Sequence, residues 1–193
     1  MVVAAAMRSP ATRWLAAFGT QFILVMLSCP VVAAEIWIDD DTSRRVLSVM
    51  DGDETLQRFE NISLGRNGVT SEKVLQDRKT PLGSYRVRRI NDQSRFRIYF
   101  GFDYPNLDQA QTAFRSGRIS YDQLKAIRGA HYLEKEPPAD TPLGGFIGIH
   151  GLGIGDARIH EDFNWTDGCI AVTNEQVDAL AGWVRPGTRV EVH

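Results

Sequence analysis

Cys169 stands in the run Thr166-Asp167-Gly168-Cys169-Ile170-Ala171, nineteen positions after His150. The other cysteine, Cys29, lies in an apolar N-terminal stretch that reads as a removable leader. The mature chain then holds one thiol and cannot form an internal disulfide. A thiol attacks a carbonyl carbon as the thiolate, so it needs a neighbour that takes its proton. His150 and His160 are the imidazoles close in sequence, whereas His131 and His193 are less obviously placed. Gly151 after His150 and Gly168 before Cys169 let backbone come close to a substrate. Main-chain N–H groups around Cys169 are then candidates to hold a developing oxyanion.

Each residue also has a plainer reading. Cys169 beside Ile170 and Val172 suits a buried, inert cysteine, and His150 suits a structural histidine. His160, flanked by Glu161 and Asp162, reads as a loop residue. Asp167 reads as a turn residue bonding local backbone, and Trp165 as a packing or groove aromatic. A mononuclear zinc hydrolase built from His150, His160 and Asp156 or Asp167 is the metal alternative, without a recognised ligand spacing.

The elements that must position these groups are mostly strands. Ile147 to His150 alternates like a strand whose end delivers the imidazole. Residues 35–39 and 45–49 read as an opening hairpin around an acidic turn at Asp39, Asp40 and Asp41, taken as solvated rather than calcium-binding. Residues 56–64, 85–90, 97–100 and 188–193 read as further strands, with Arg86-Val87-Arg88-Arg89 on the polar side of one. Asn106 and Ser120 each stand three residues before a glutamine, as a capping box requires, and predict two short helices ending near Gly117 and Gly129. Thr173 and Gln176 repeat the signal before the helical spacing of Val177, Leu180, Ala181 and Val184. The fold expected is mainly β with a few short helices.

Arg8 and Arg13, the apolar stretch from Trp14 to Leu27 and small residues at Val32-Ala33-Ala34 predict a signal peptide over 1–34, leaving one domain over 35–193. An uncleaved anchor and lipidation at Cys29 are the alternatives to simple cleavage. Loss of Arg8 and Arg13 leaves 20 basic against 24 acidic residues, and the cations are scattered, so nothing marks a nucleic-acid footprint. After cleavage no second long apolar run remains for stable membrane insertion. The expected place of action is the periplasm or cell envelope.

His150-Gly151, the spacer to Trp165 and then Thr166-Asp167-Gly168-Cys169-Ile170 together resemble the signature of the L,D-transpeptidase catalytic domain. Residues 77–85, with Thr80-Pro81-Leu82-Gly83, resemble that family's Thr-Pro-x-Gly-aromatic stretch, and Tyr104-Pro105-Asn106 resembles a turn of one exported subgroup. The resemblance runs from about residue 35 to the C-terminus. It implies a β-sandwich-like domain of mixed sheets with the thiol in a groove. It implies cell-wall biogenesis and cell-shape work on peptidoglycan stem peptides through a Cys169 thioester, for 3→3 cross-linking or attachment of an envelope protein. By the family pattern His150 is the base, the Gly151 carbonyl orients it, and amides near Gly168 and Cys169 form the oxyanion hole. No metal or organic cofactor is implied. A carboxypeptidase or amidase on the same scaffold and a catalytically silent murein-binding module are the other readings.

Two departures from the family pattern stand out. Asp167 replaces a second histidine and Ala171 an arginine. Asp167, flanked by Thr166 and Gly168, which with it support the oxyanion site, is compatible with an ion pair to His150 or His160, and His160 is a candidate to supply the missing imidazole. Residues 107–127 are a candidate lid, whose Arg115 and Arg118 would read substrate carboxylates, or else a solvated connector.

Overall fold

Strand β1 (Ile36–Asp41) pairs antiparallel with β2 (Val46–Asp51), and β2 with β3 (Glu54–Glu60). The computed structural model describes Met1 and residues 35–193; the expected leader from residue 2 on, Cys29 included, lies outside the described residues. On the other side of β1 runs β10 (Arg189–Val192), parallel to it and antiparallel to β6 (Gly83–Ser94). The twelve residues of β6 serve two neighbours in turn. Its first part pairs with β10, and from Val87 on it pairs with β7 (Arg97–Phe102). The order then closes with β8 (Gly148–His150), antiparallel to β7, and β9 (Ile170–Ala171), parallel to β8. A separate pair, β4 (Val69–Thr70) and β5 (Thr80–Pro81), frames the segment between them.

The fold is therefore mostly β, with mixed strand directions. One core cluster holds Ile38, Leu47 and Val49 from the first half of the sheet with Phe100, Ile149 and Ile170 from the second. The two halves meet across a shared apolar layer, as in a sandwich. Residues 35–193 belong to one compact unit.

The expected capping boxes are present at all three places. Asn106 starts α1 (Leu107–Arg115), Ser120 starts α2 (Tyr121–Tyr132) and Thr173 starts α4 (Asn174–Leu180), each with its glutamine side chain bonding back to the cap amide. Gly117, at φ +73°, follows α1 as expected. Gly129 does not end α2, which runs on to Tyr132. A fourth helix, α3 (Ala157–Asp162), places His160 in a helix rather than a loop.

The acidic triplet is corrected too. Asp39, Asp40 and Asp41 belong to β1, and the turn falls at residues 42–45, where the Asp41 carboxylate accepts from the Ser43 hydroxyl (2.7 Å) and the Arg44 amide (3.0 Å). Alternation puts Asp40 on the same face as Ile38, toward the core, and both its carboxylate oxygens are buried without a partner among the described residues. Burial, reinforced by Asp39 and Asp41, pushes its carboxyl well above the ordinary value. The sign follows directly. Where the unfolded chain has released this proton and the native state keeps it, stability falls as pH rises. One such proton contributes a slope of up to about 1.4 kcal/mol per pH unit. Asp40→Asn is expected to raise the melting temperature at pH 7 and to flatten the decline above about pH 4. Thermal melts from pH 4 to 8 check this, and parallel curves for the two proteins would contradict it.

Candidate active site

Ile149 and Ile170 are register partners and both point into the core. Successive side chains on a strand alternate, so the residues flanking this pair, His150 and Cys169, face the other way. Both line an open cavity of about 850 Å³ with Phe96, Tyr99, Phe146, Trp165 and Asp167 among others. Cys169 is half-buried and free. His150 is buried, its ring stacked on Phe96 (centroids 4.2 Å apart) and met edge-on by Trp165 at 5.7 Å.

His150 Nδ1 lies 2.7 Å from the Gly151 carbonyl oxygen. A carbonyl can only accept, so Nδ1 carries the proton and Nε2 keeps a lone pair. Gly151 has no room for a side chain: a Cβ would lie 2.8 Å from both the Phe96 carbonyl oxygen and Val177 Cγ1. Burial pushes the imidazole down to about 4; the Gly151 contact opposes this, while Arg95 and His160 add to it. Burial likewise pushes the Cys169 thiol up to about 11, with the Gly148 amide and Lys73 working against it and Asp167 with it. Both shifts favour the uncharged forms, thiol and neutral imidazole. The thiol donates to the Phe146 carbonyl oxygen at 3.3 Å. Phe146 holds φ +55°, a left-handed conformation that costs a bulky residue energy and aims its carbonyl at the sulfur.

Thr166 closes the nucleophile turn. Its hydroxyl donates to the Cys169 carbonyl (2.6 Å) and accepts from the Gly168 amide (3.1 Å). The Gly168 N–H, expected among the oxyanion donors, is therefore directed into the turn. The Cys169 N–H has no acceptor among the described residues. Thr166→Val removes both bonds and leaves buried groups unpaired, at a cost of about 1–3 kcal/mol each. It is expected to lower the melting temperature and the rate of Cys169 modification, and Thr166→Ser to restore both.

The other expected positions fall differently. The Asp167 carboxylate is exposed and pairs with Arg66 (3.0 Å) and Arg78 (3.9 Å), not with either histidine. His160 does not line the cavity: it is buried behind Trp165, whose indole N–H donates to its Nδ1 at 3.3 Å. It therefore lies outside the cavity that holds Cys169, and its charge acts on His150 from behind that indole. The zinc set is not assembled either, because Asp156 caps α3 and Asp167 is held by arginines. Helices α1 and α2 pack around Ala110, Ala113, Leu124 and Ile127 and give no residue to the cavity. Arg118 pairs with Glu72 at 3.7 Å and does not line the cavity. The cavity's cations are instead Arg66, Arg89 and Arg95. Arg89, Phe96 and Tyr99 were not read from the sequence as site residues, although Tyr99 is the register partner of His150. Strand alternation in residues 97–100 was the available signal.

The profile of the L,D-transpeptidase catalytic domain (YkuD) matches residues 34–192. The chain belongs to this family. Among solved structures it is similar to the helical cell shape determining protein Pgp2 from Campylobacter jejuni, with 23% identity, a TM-score of 0.57, and 82% of this chain and 47% of that one covered. It is also similar to Bd1075 from Bdellovibrio bacteriovorus, with 18% identity, a TM-score of 0.53, and 83% and 47% covered. The matched part spans about half the length of those proteins. No curated protein matches the chain. At this identity the two structures establish the shared fold. Among the described residues no helix is long and apolar enough to cross a membrane.

Proposed function

We propose that this protein is an exported acyltransferase acting on peptidoglycan stem peptides, with Cys169 as nucleophile and His150 as base. The observation that carries the reading is the tautomer. With Nδ1–H held by the Gly151 carbonyl, the Nε2 lone pair is free on the imidazole that shares the Cys169 cavity. Sγ bonds to the carbonyl carbon of the L-centre of diaminopimelate while its proton passes to Nε2. The oxyanion meets the unengaged Cys169 N–H. Collapse breaks the amide bond, and the departing D-alanine amine takes the proton from His150. An acceptor amine then attacks the thioester, loses its proton to the imidazole and returns the thiol, giving a 3→3 cross-link or an attached envelope protein. Arg66, Arg89 and Arg95 on the cavity wall suit an anionic peptide.

The same thioester can pass to water, which makes an L,D-carboxypeptidase. The observation favouring this second reading is that α1 and α2 stand away from the cavity, leaving the thioester open to solvent. Incubation with muropeptides separates the outcomes. Cross-linked dimers support transfer and shortened monomers support hydrolysis. No product, together with no carbapenem adduct on Cys169 by intact mass, would leave a murein-binding module.

A further inference from the structure

Lys73 lies in the segment between β4 and β5, far in sequence from the Cys169 turn, yet its side chain is 4% exposed. An ammonium buried this deeply costs several kcal/mol unless it is paired and its protons are used. Here all three are. Nζ donates to the Asp77 carboxylate (2.6 Å), the Lys79 carbonyl (2.9 Å) and the Asp167 carbonyl (3.5 Å). Asp77 is itself held by the amides of Val74 and Lys79, both at 2.9 Å, so the cation rests on a fixed platform. The third bond ends on the residue two before the sulfur.

Gly168 bears the imprint of this contact. At φ +134° it adopts a conformation L side chains rarely reach, and a Cβ there would lie 3.0 Å from Nζ and 2.7 Å from the Lys79 carbonyl oxygen. The turn that presents Cys169 is thus moulded against Lys73 and the backbone it organises. Within the turn, Thr166 ties Gly168 and Cys169 together. We propose that Lys73 is a positioning residue for the nucleophile: its buried ammonium fixes the Asp167–Gly168 peptide so that the Cys169 amide and sulfur face the cavity, and it places the nearest buried positive charge behind the thiolate as that forms. This rests on Cys169 being the nucleophile. The groups acting on that sulfur besides Lys73 are the Asp167 carboxylate, the Gly148 amide and the Tyr99 phenol, and His150, Arg66 and Arg89 line the same cavity. Lys73 is the buried cation among them.

Removing Lys73 alone strands the Asp77 carboxylate, so the test pairs Lys73→Gln with the double variant Lys73→Met, Asp77→Asn, which deletes both charges together. Iodoacetamide is the probe, because it needs only the thiolate and no murein substrate. Both variants are expected to alkylate at pH 8 at least about tenfold more slowly, with the pH profile displaced upward by about one unit or more. The double variant is expected to melt within a few degrees of wild type. A merely structural lysine would not displace the profile. Either variant, folded and alkylating with the wild-type profile, would overturn the proposal. Failure of wild type to process muropeptides would count against the stem-peptide reading alone.

Discussion

Cys169→Ala is expected to abolish acyl-enzyme formation while leaving the fold in place. The substitution deletes one sulfur atom at a half-buried position facing the cavity. Its thiol donates to the carbonyl of Phe146, a residue that lines the same open cavity. The core beneath is carried by Ile149 and Ile170, which the change does not touch. The melting temperature should therefore move by no more than a surface-type substitution, about 0.5 kcal/mol in stability. Turnover should fall below detection, because no other thiol or amine lines the cavity among the described residues. Intact-mass analysis after carbapenem exposure, beside a muropeptide assay, checks both halves. An adduct on the alanine variant, or turnover at the wild-type rate, would remove Cys169 from the mechanism.

The sequence was most informative where the physics is local. Capping boxes satisfy helix-end amides within four residues, so Asn106, Ser120 and Thr173 marked α1, α2 and α4 without knowledge of the fold. Strand alternation likewise marked β6, β7, β8 and β10. It could not show β4, β5 and β9, each of two residues, since pairing alone defines them. The six-residue α3 begins at an Asp156 cap without the reciprocal glutamine and was missed for that reason.

Long-range electrostatics were the less legible part of the site. Asp167 beside two potential imidazole partners pointed toward an ion pair. Arg66 and Arg78, about a hundred and about ninety positions upstream, flank the paired β4 and β5 and reach it instead. Lys73 and the Gly168 turn are joined in the same way. Asp40 shows the converse: three carboxylates in a row read as solvent-facing, and sheet register buried the middle one. His150 and Cys169 were legible because each sits beside a glycine that marks close approach. The Gly151 carbonyl, 2.7 Å from Nδ1, sets the tautomer.

His150→Ala carries the sharper kinetic signature. With the thiol pushed up to about 11, the thiolate at pH 7 is on the order of one part in ten thousand. Wild type avoids that penalty if the proton moves to Nε2 as Sγ attacks. The pH window of this route is set by the two shifts. The imidazole is pushed down to about 4, so it stays an acceptor from just above that value, and the thiol keeps its proton until about 11. The wild-type acylation rate should accordingly be nearly flat from about pH 5 to 10, without a step near the ordinary histidine value. Without the imidazole only pre-formed thiolate reacts. Acylation of His150→Ala at pH 7 should then fall by about 10³-fold, within the 10²–10⁴ range for a lost general base, and recover about tenfold per pH unit toward the thiol value. Rapid-mixing carbapenem acylation from pH 5 to 10, with thermal melts to show that Phe96 and Trp165 still pack, measures the two slopes. A flat profile in the variant at the wild-type level would show that another group takes the proton. A wild-type step near pH 6.5 would instead place a pre-formed thiolate–imidazolium pair in the cavity, the arrangement that burial of both groups opposes.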